Sequence, residues 1–545
     1  MERRTLLTAA FGAATAAATT ACSGGSSGNT GSSGKAPGGT SGSGTSGASA
    51  SGGADVAGAT GLSSKGSAST AAWNALAKGL DGDLVRPEDA AYATARQLYN
   101  TRFDSLKPAG VAYVSGEDDI KECLAFARAH HTPVSIRNGG HSYAGWSSGN
   151  GRLVIDISKL DSLKRAASDG TVGAGAKLAD VYRTLADGGR TIPAGSCPTV
   201  GVSGLTLGGG HGVAARAYGL TCDSLTSATV ITADGKRLTA DAEQNKDLFW
   251  ALRGAGNGNF GVVTELRFRT HPAPATVTAF LSWPWSKAET VLSAWQKWGP
   301  DQPDEIWSSL HLAAGPGGTS PTVSISAFSL SGEEDLKNAL DRLADGPGGP
   351  GSARSVSVRP RGYEDAMLVY AGCSGITEEQ CRLPGTTPGR SAQGTLQRET
   401  YSAASDFYDR SLSPAGVRAL ISAAEEFTRI PAAQGGGGSI TLTALGGAIN
   451  RVDPLATSFV HRRSRMLAQY VAGWKRGASG SPQQAWLKNT HTSMRRYASG
   501  AAYQNYIDPT LTDWRTAYYG AAADRLTRLK KQYDPDRLFD FPQAL

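Results

Sequence analysis

The sequence lacks the features that mark membrane-embedded and nucleic-acid-binding proteins. Beyond a short N-terminus rich in Ala and Thr, no apolar stretch approaches the roughly 20 residues that a membrane-spanning helix needs. The net charge of +7 (54 Lys and Arg against 47 Asp and Glu) is mild for 545 residues, and no basic tail or nucleic-acid motif accompanies it. The densest basic run, residues 461–465, is interpreted as a solvated face or a pocket wall. Nucleic acid is therefore not an expected partner.

Internal repeats and zinc-ligand spacings are absent as well. His130, His131, His141 and His211 could be combined with Cys197, but their spacing matches no compact zinc pattern, so no metal site is expected. A length of 545 residues exceeds one ordinary hydrophobic core and predicts at least two domains.

Cysteine is scarce, with six residues in the chain. Cys373 and Cys381 lie in a stretch rich in Gly, Thr and Pro, which favours a local disulfide in an oxidising compartment. Cys123 and Cys222 have apolar neighbours and are predicted to be small buried residues. A disulfide to Cys222 or a buried thiol is one alternative for Cys197.

The N-terminal residues are typical of an export signal. In residues 1–22, Arg3-Arg4 precede an apolar stretch of small residues, as in a twin-arginine signal. Ala21-Cys22 resembles a lipoprotein cleavage site, and a lipid on Cys22 would be the only membrane contact; the alternative is ordinary cleavage with Cys22 removed or left free. Residues 23–72 are predicted to be a flexible Gly/Ser-rich linker. We expect an exported protein, either a cell-surface lipoprotein or extracellular.

Two glycine-rich segments each contain one nucleophilic side chain. Residues 137–143 read Arg-Asn-Gly-Gly-His-Ser-Tyr, and residues 194–204 contain Cys197 and continue into Gly208-Gly-Gly-His-Gly212. Glycines at this density let the backbone lie against a large flat or anionic ligand, because no Cβ intervenes. His141 and Cys197 are therefore candidates for covalent attachment of a cofactor.

The surrounding pattern predicts strands that end in these loops. Residues 111–137 read as β-α-β, with a helix start at Ser115 and Asp118. Residues 153–157 alternate like a half-buried strand. Further on, we predict hairpin turns at Asp169-Gly170 and Asp234-Gly235, a helix over 177–187, a strand over 191–194, alternating strands over 322–328, 439–445 and 466–471, and helices over 289–298, 335–343 and 414–428.

These motifs resemble those of the berberine bridge enzyme-like flavoprotein oxidases of the vanillyl-alcohol oxidase and p-cresol methylhydroxylase superfamily. In that family a His in an R-x-G-G-H-S loop joins the 8α carbon of FAD, and a Cys in a G-x-C-x-x-V-G loop joins C6. The resemblance thus implies FAD bound covalently through His141 and Cys197. Further matches lie at residues 247–256, 259–264, 446–451, 503–508, 518–520 and 533–539.

The resemblance implies an α+β fold. It has a two-part FAD-binding domain of the vanillyl-alcohol oxidase and p-cresol methylhydroxylase type, with a substrate domain of antiparallel sheet covered by helices. The expected boundaries are 73–275 for the FAD-binding domain, 276–494 for the substrate domain, and 495–545 for a C-terminal return to the FAD-binding domain. Gly254-Ala-Gly-Asn-Gly258 is not a Rossmann loop, since it follows a helical stretch (residues 247–253) and precedes a strand. It is expected to border the adenine or diphosphate half of FAD.

The cofactor contacts that the resemblance implies fall in the glycine-rich segments and at the start of one later strand. Besides His141 and Cys197, they are Arg137, Asn138, Gly139, Gly140, Ser142, Val200, Gly201, Gly204, Gly208, Gly209, Gly210, His211, Gly212, Gly261 and Val262.

The resemblance also implies catalytic roles. Tyr503 matches the general base, with Tyr506 second, and Tyr143 and Gln469 match positions that face the substrate. A phenol needs cationic neighbours or hydrogen bonds to act as a base near neutral pH.

Three other positions bear on the mechanism. Val200 stands where the family's oxygen gate lies, and Val there is permissive for O2. Leu467 replaces a Lys of plant members, which puts their way of activating the base in doubt. Arg495 and Arg496 are close to Tyr503 in sequence, but the sequence does not place them.

The leading hypothesis is an exported, monomeric, covalently flavinylated oxidase. It would take hydride from an alcohol, lactol or activated C–H carbon to flavin N5 and reduce O2 to H2O2, with a sugar, oligosaccharide or secondary metabolite as the small-molecule substrate. The alternative is a surface carbohydrate-binding protein whose flavin fold no longer turns over.

Overall fold

The computed structural model describes residues 68–165 and 168–545. The predicted signal, Cys22 and almost all of the predicted linker lie outside the described residues. The strands are β1 Asp83–Val85, β2 Gly110–Tyr113, β3 Val134–Arg137, β4 Leu153–Asp156, β5 Leu163–Arg165, β6 Asp169–Gly173, β7 Arg190–Thr191, β8 Leu225–Ile231, β9 Arg237–Asp241, β10 Val262–Arg269, β11 His271–Pro272, β12 Thr276–Trp283, β13 Ile306–Ala314, β14 Thr322–Ser329, β15 Ser355–Arg361, β16 Tyr401–Tyr408, β17 Gly438–Ala444 and β18 Met466–Gly473.

The α-helices are interspersed with these strands. They are α1 Thr70–Gly79, α2 Tyr92–Ala95, α3 Glu117–His130, α4 Leu178–Ala186, α5 Val202–Leu207, α6 Ala215–Tyr218, α7 Thr221–Ser224, α8 Lys246–Leu252, α9 Ala288–Trp298, α10 Glu333–Asp345, α11 Tyr363–Tyr370, α12 Pro414–Phe427, α13 Ala448–Arg451, α14 Ser481–Arg495, α15 Trp514–Tyr519 and α16 Ala523–Tyr533.

The first sheet contains the predicted β-α-β unit. Its order is β1-β2-β4-β3, with β4 parallel to both β2 and β3, and α3 connects β2 to β3. The helix start at Ser115 and Asp118 is wrong: Gly116 is the N-cap, and the Asp119 carboxylate accepts the Ser115 N–H at 2.7 Å. The half-buried strand over 153–157 is also wrong. β4 is buried at every position, because a central parallel strand is covered on both faces.

The second sheet is antiparallel, with the order β5-β6-β10-β8-β9. The predicted turn at Asp234-Gly235 connects β8 to β9, where Gly235 has a φ of 83°. Asp169-Gly170 is not a turn, because both residues lie inside β6 and pair with Arg269 and Phe268. The strand predicted over 191–194 is reduced to β7, which pairs with β11.

The third large element is a seven-stranded antiparallel sheet of order β15-β12-β14-β13-β17-β18-β16. The predicted strands over 322–328, 439–445 and 466–471 are its β14, β17 and β18, and the predicted helices over 289–298, 335–343 and 414–428 are α9, α10 and α12. These helices and α14 cover one face and share a hydrophobic core that runs from Val277 to Met494. The α+β fold is confirmed.

The chain after α14 packs back onto the first half. Its buried side chains, including Leu526, Leu529 and Phe539, belong to the same core as Trp73 and Leu248. The domain boundaries 73–275, 276–494 and 495–545 remain predictions, although the seven-stranded sheet begins at Thr276.

One buried ammonium group ties the C-terminal return in place. Lys530 Nζ donates to Asn259 O at 2.7 Å, to Phe539 O at 2.7 Å and to the Asp534 carboxylate at 2.6 Å. Lys530 and Asp534 are both buried. The same carboxylate accepts the N–H groups of Leu538 and Phe539, so one charge pair organises the final turn.

We expect Lys530→Met to destabilise the protein by about 3–5 kcal/mol, because removing one partner leaves the Asp534 carboxylate buried and uncompensated. The measurement is the thermal midpoint, compared with Lys531→Met at the exposed neighbouring position. Equal midpoints for the two variants would contradict the role of Lys530.

Candidate active site

A cleft of about 390 Å³ brings together most of the site residues expected from the sequence. It is lined by the two glycine-rich loops, by strands of the seven-stranded sheet and by residues 503–507. The expected residues that line it are Asn138, Gly139, Gly140, His141, Ser142, Tyr143, Cys197, Val200, Gly201, Gly204, His211, Gly212, Gln469, Tyr503 and Tyr506.

The His141 loop begins where β3 ends, and it is packed tightly against the Cys197 loop. A Cβ on Gly139 would overlap Thr199 O and lie 2.6 Å from Gly201 N, so only glycine permits this approach. His141 Nε2 lies 2.8 Å from Thr199 Oγ1, and the Tyr99 ring stacks on the imidazole with 4.1 Å between centroids. The imidazole and the Cys197 loop are thereby held on one wall of the cleft.

Asn138 joins the same two loops through its side chain. Its Nδ2 donates to Ala174 O at 2.5 Å and to Ser203 Oγ at 3.1 Å, and its Oδ1 accepts from Lys177 Nζ at 2.5 Å. Lys177 was not identified from the sequence, because a lysine at the start of a helix ordinarily faces solvent.

Six of the expected cofactor contacts do not line the cleft. They are Arg137, Gly208, Gly209, Gly210, Gly261 and Val262. Arg137 is buried beside Asp156, with 2.5 Å between Nε and Oδ2, and this ion pair joins β3 to β4. A Cβ on Gly209 would lie 2.8 Å from the Phe459 ring, so this glycine permits close packing. Direct cofactor contact remains a prediction for Arg137, Gly208, Gly209, Gly210, Gly261 and Val262.

The Tyr503 phenol lies at the centre of a hydrogen-bond network. Its oxygen accepts from Gly210 N at 2.8 Å and from Asn505 Nδ2 at 2.8 Å. Asn505 Nδ2 also donates to Leu205 O at 2.9 Å, and its Oδ1 accepts from Asn257 Nδ2 at 2.8 Å. Two N–H donors on one phenol oxygen favour a phenolate.

Burial acts against that phenolate. It raises the pKa of Tyr503 well above its usual value, and neighbouring Tyr506 raises this pKa further, whereas the N–H donors of Gly210 and Asn505 lower it. The sequence does not place Arg495; in the structure its guanidinium binds Asp406 at 3.0 Å and Asp513 at 3.0 Å. The side chain of Arg496 donates to Ser493 O on its own helix.

The other expected catalytic residues form two hydrogen-bonded pairs. Tyr506 OH lies 2.9 Å from His211 Nε2, and Gln469 Nε2 donates to Tyr143 OH at 2.7 Å. The rings of Tyr143 and Tyr506 stack at 5.3 Å, which connects the pairs. His211 is therefore a partner of a candidate catalytic tyrosine, a contact that its position in a glycine run does not reveal.

The sheet contributes a polar floor, of which the sequence identified Gln469 alone. In register, Ser326, Ser309 and Thr443 lie side by side across β14, β13 and β17. His311, Thr441 and Gln469 form a second row across β13, β17 and β18. The aromatic residues that line the cleft near these rows are Trp307, Tyr370 and Tyr401.

The polar lining provides a test of whether FAD fits. Several buried polar atoms of the lining have no hydrogen-bond partner among the described residues, and such atoms are ordinarily satisfied by a ligand or water. The ring nitrogens, hydroxyls and diphosphate of FAD suit them, and glycine backbone suits its flat ring. These atoms are Ser135 Oγ, Ser147 Oγ, His211 Nδ1, Asn257 Oδ1 and Gln504 Oε1.

Comparisons with known proteins identify the family of this chain. Residues 108–241 match the FAD binding domain family model, and residues 502–545 match the model for berberine and berberine-like proteins. The FAD-linked oxidoreductase YgaK of Bacillus subtilis is 31% identical over 475 residues, which cover 86% of this chain and 97% of that protein. The chain belongs to the berberine bridge enzyme-like FAD-linked oxidoreductases.

Two other similar proteins show the breadth of the berberine bridge enzyme-like family. Chitooligosaccharide oxidase of Gibberella zeae is 29% identical over 468 residues, covering 82% of this chain and 89% of that protein. The structure of berberine bridge enzyme-like 1 from Physcomitrella patens has a TM-score of 0.78 and 29% identity, covering 87% of this chain and 98% of that one. The protein is an FAD-linked oxidoreductase with an FAD-binding domain.

The cysteines follow the sequence predictions in part. Cys373 and Cys381 form a disulfide, and Cys123 and Cys222 are buried free thiols. The alternative of a disulfide between Cys197 and Cys222 is therefore wrong. Within residues 68–165 and 168–545 no group of His, Cys, Asp and Glu side chains could hold a metal ion. Over the same residues, every helix is too short or too polar to cross a membrane.

We expect the stability of this berberine bridge enzyme-like protein to fall as the pH drops from 6.5 toward 4. Burial lowers the pKa of His141 from 6.5 to about 3 and the pKa of His211 to about 4. The unfolded chain therefore binds protons that the native state does not. The contribution of each histidine to the free energy of unfolding is fully present above pH 6.5. Below that pH each contribution falls by up to about 1.4 kcal/mol per pH unit.

Thermal midpoints between pH 4.5 and 7 measure this effect. In His211→Asn the dependence of stability on pH should be less steep, by the contribution of about one proton. His130→Asn, at a half-buried position at the end of α3, serves as the control. An unchanged slope in His211→Asn would contradict the assignment.

Proposed function

We propose that this protein is an exported oxidase of a saccharide. It would convert the lactol at the reducing end of a sugar to the lactone and reduce O2 to H2O2. One observation carries the proposal: a single cleft is lined both by the loops that contain His141 and Cys197 and by polar and aromatic side chains of the seven-stranded sheet. Hydroxyls, amides and an imidazole can bind sugar hydroxyls, and aromatic rings can stack on sugar faces. The similarity to chitooligosaccharide oxidase supports the same substrate class.

FAD would be held through two covalent bonds, to His141 and to Cys197. The neutral imidazole supports this, because burial lowers the pKa of His141 to about 3 and leaves a nucleophilic nitrogen at physiological pH. Cys197 lines the same cleft on the neighbouring loop. Bound there, the cofactor would supply acceptance of a hydride and its delivery to O2.

The protein's own residues would bind the sugar and remove its hydroxyl proton. Gln469 and Tyr143, already hydrogen-bonded to each other, would orient the substrate hydroxyls. Tyr503, as the phenolate that its two N–H donors stabilise, would accept the proton from the reacting hydroxyl and become a neutral phenol. Val200 lines the cleft and leaves room for O2.

Export and anchoring are part of the proposal and rest on the sequence alone. The twin-arginine pattern at Arg3-Arg4 and the cleavage site before Cys22 support a surface-anchored or extracellular enzyme. A monomer is proposed as well.

The attachment is tested by replacing the two nucleophiles. We expect His141→Ala and Cys197→Ala each to keep flavin in the acid-precipitated pellet, because one bond remains, and the double variant to release it. Tryptic mass mapping of the unaltered protein should find flavin on both peptides. A Cys197 peptide in disulfide linkage to another cysteine, or flavin retained by the double variant, would contradict the two bonds.

A peroxide-coupled screen over a panel of saccharides tests the reaction. We expect H2O2 release with at least one saccharide, and Tyr503→Phe should lower kcat by about 10²–10⁴ while covalent flavin stays bound. Because burial raises the pKa of Tyr503, kcat of the unaltered protein should increase from neutral toward alkaline pH.

The controls for that screen separate the alternatives. Tyr92→Phe, at a half-buried position whose hydroxyl donates to Pro108 O, should keep full activity. Flavin-loaded protein that binds a saccharide without releasing peroxide would favour the carbohydrate-binding alternative. Peroxide from a non-carbohydrate alcohol alone would refute the substrate class.

A further inference from the structure

A second, smaller cavity lies behind the cofactor loop. Residues 138–140 line both the main cleft and this cavity. The cleft and the cavity are therefore separated by this stretch of backbone. Its volume is about 40 Å³, enough for a few atoms and too small for a nucleotide or a sugar. Its charged lining residues are Arg137, Asp156, Lys177 and Arg390.

The charges around this cavity do not balance. The single carboxylate, Asp156, is already paired with Arg137 at 2.5 Å. Lys177 is buried and donates only to neutral acceptors: Asn138 Oδ1 at 2.5 Å, Ser158 Oγ at 3.1 Å and Gly175 O at 2.9 Å. The half-buried Arg390 donates to Pro384 O at 3.0 Å. Among the lining residues, three cations face one carboxylate, a formal excess of +2 (3 minus 1). Asp161, Asp180 and Asp104 act on Lys177 and Arg390 from outside the lining.

One donor in the cavity lining has no partner. Arg137 is buried, and its Nη1 makes no hydrogen bond to any of the described residues. A buried guanidinium N–H without an acceptor is costly and calls for a ligand or a water. Burial lowers the pKa of Lys177 to about 8, and burial together with Arg398 lowers the pKa of Arg390 to about 10.

We propose that this cavity binds a small inorganic anion, chloride in the first instance, held by Arg137, Lys177 and Arg390. A halide fits the volume, can accept the orphaned N–H of Arg137, and reduces the excess charge. Water would satisfy the N–H but would leave the charge unbalanced.

The anion would connect two separate parts of the chain. Arg137 and Lys177 belong to the FAD-binding part, whereas Arg390 lies in the loop between α11 and β16. That loop already contacts Lys177 closely, because a Cβ on Gly389 would lie 3.0 Å from Lys177 Cε. A bound anion would therefore hold the 383–390 segment against the back of the His141 loop.

The test uses the flavin-loaded full chain in chloride-free buffer at constant ionic strength. Chloride added in place of gluconate should give saturable ³⁵Cl line broadening and a thermal midpoint that rises with its concentration. In Arg390→Gln the chloride concentration at half-saturation should be about tenfold higher in both measurements, because a unit charge next to the ion is removed. Flavin absorbance of the same samples reports cofactor binding separately, so the two proposals fail independently.

Arg382→Gln is the matched control. Arg382 anchors the same segment through Asp180 at 3.0 Å and Glu378 at 2.9 Å, but it does not line the cavity. It should keep the chloride dependence even if stability falls. If Arg390→Gln does not fold, Lys177→Met replaces it. Crystals soaked in bromide should show an anomalous peak between Arg137 and Arg390.

Three outcomes would overturn the proposal. They are broadening that does not saturate, equal chloride dependence in Arg390→Gln and the unaltered protein, and density for water alone at this position in the bromide-soaked crystals.

Discussion

The active site depends on how closely two stretches of backbone approach each other, residues 138–141 after β3 and residues 199–201 before α5. Neither stretch is held by regular secondary structure at this point. Side chains at 139 or 201 would separate them, because a Cβ at Gly139 overlaps Thr199 O and one at Gly201 overlaps the Asn138 side chain. The approach places His141 Nε2 within 2.8 Å of Thr199 Oγ1. Glycine here sets the position of both candidate attachment residues.

The catalytic wall is fixed by the same glycine-rich region. Tyr503 comes from the C-terminal return, yet its oxygen accepts the N–H of Gly210, and its own N–H donates to Ser405 Oγ on β16 at 3.0 Å. One residue thus connects the cofactor loops, the seven-stranded sheet and the last fifty residues. The buried Lys530–Asp534 pair keeps that last segment in place from the other side. The chemistry therefore rests on contacts between parts of the chain that are distant in sequence.

The sequence predicts those parts of the site whose signal is local. The glycine density around His141 and Cys197 is visible in a single stretch, and so is the alternation of β14, β17 and β18. The polar floor has no such signal. His311 and Thr441 are 130 positions apart and become neighbours only through the register of β13 with β17, with 3.2 Å between Nδ1 and Oγ1.

Errors in the sequence predictions have the same physical origin. Residues 153–157 looked half-buried because their alternation says nothing about the layers that cover β4 on both faces. Asp169-Gly170 has the composition of a turn, but pairing with β10 extends β6 through it. In each case a tertiary contact outweighed a local preference.

A single environment affects the two key groups in opposite ways. Burial disfavours whichever form of a group is charged. For His141 the charged form is the cation, so burial keeps the imidazole neutral and nucleophilic. For Tyr503 the charged form is the anion, so the same burial opposes the base. At Tyr503 this cost of burying an anion is offset in part by two N–H groups that donate to the phenol oxygen. A buried site that keeps an imidazole neutral therefore needs an anion-stabilising pair if a phenol within it is to act as a base, and at Tyr503 the N–H groups of Gly210 and Asn505 are that pair.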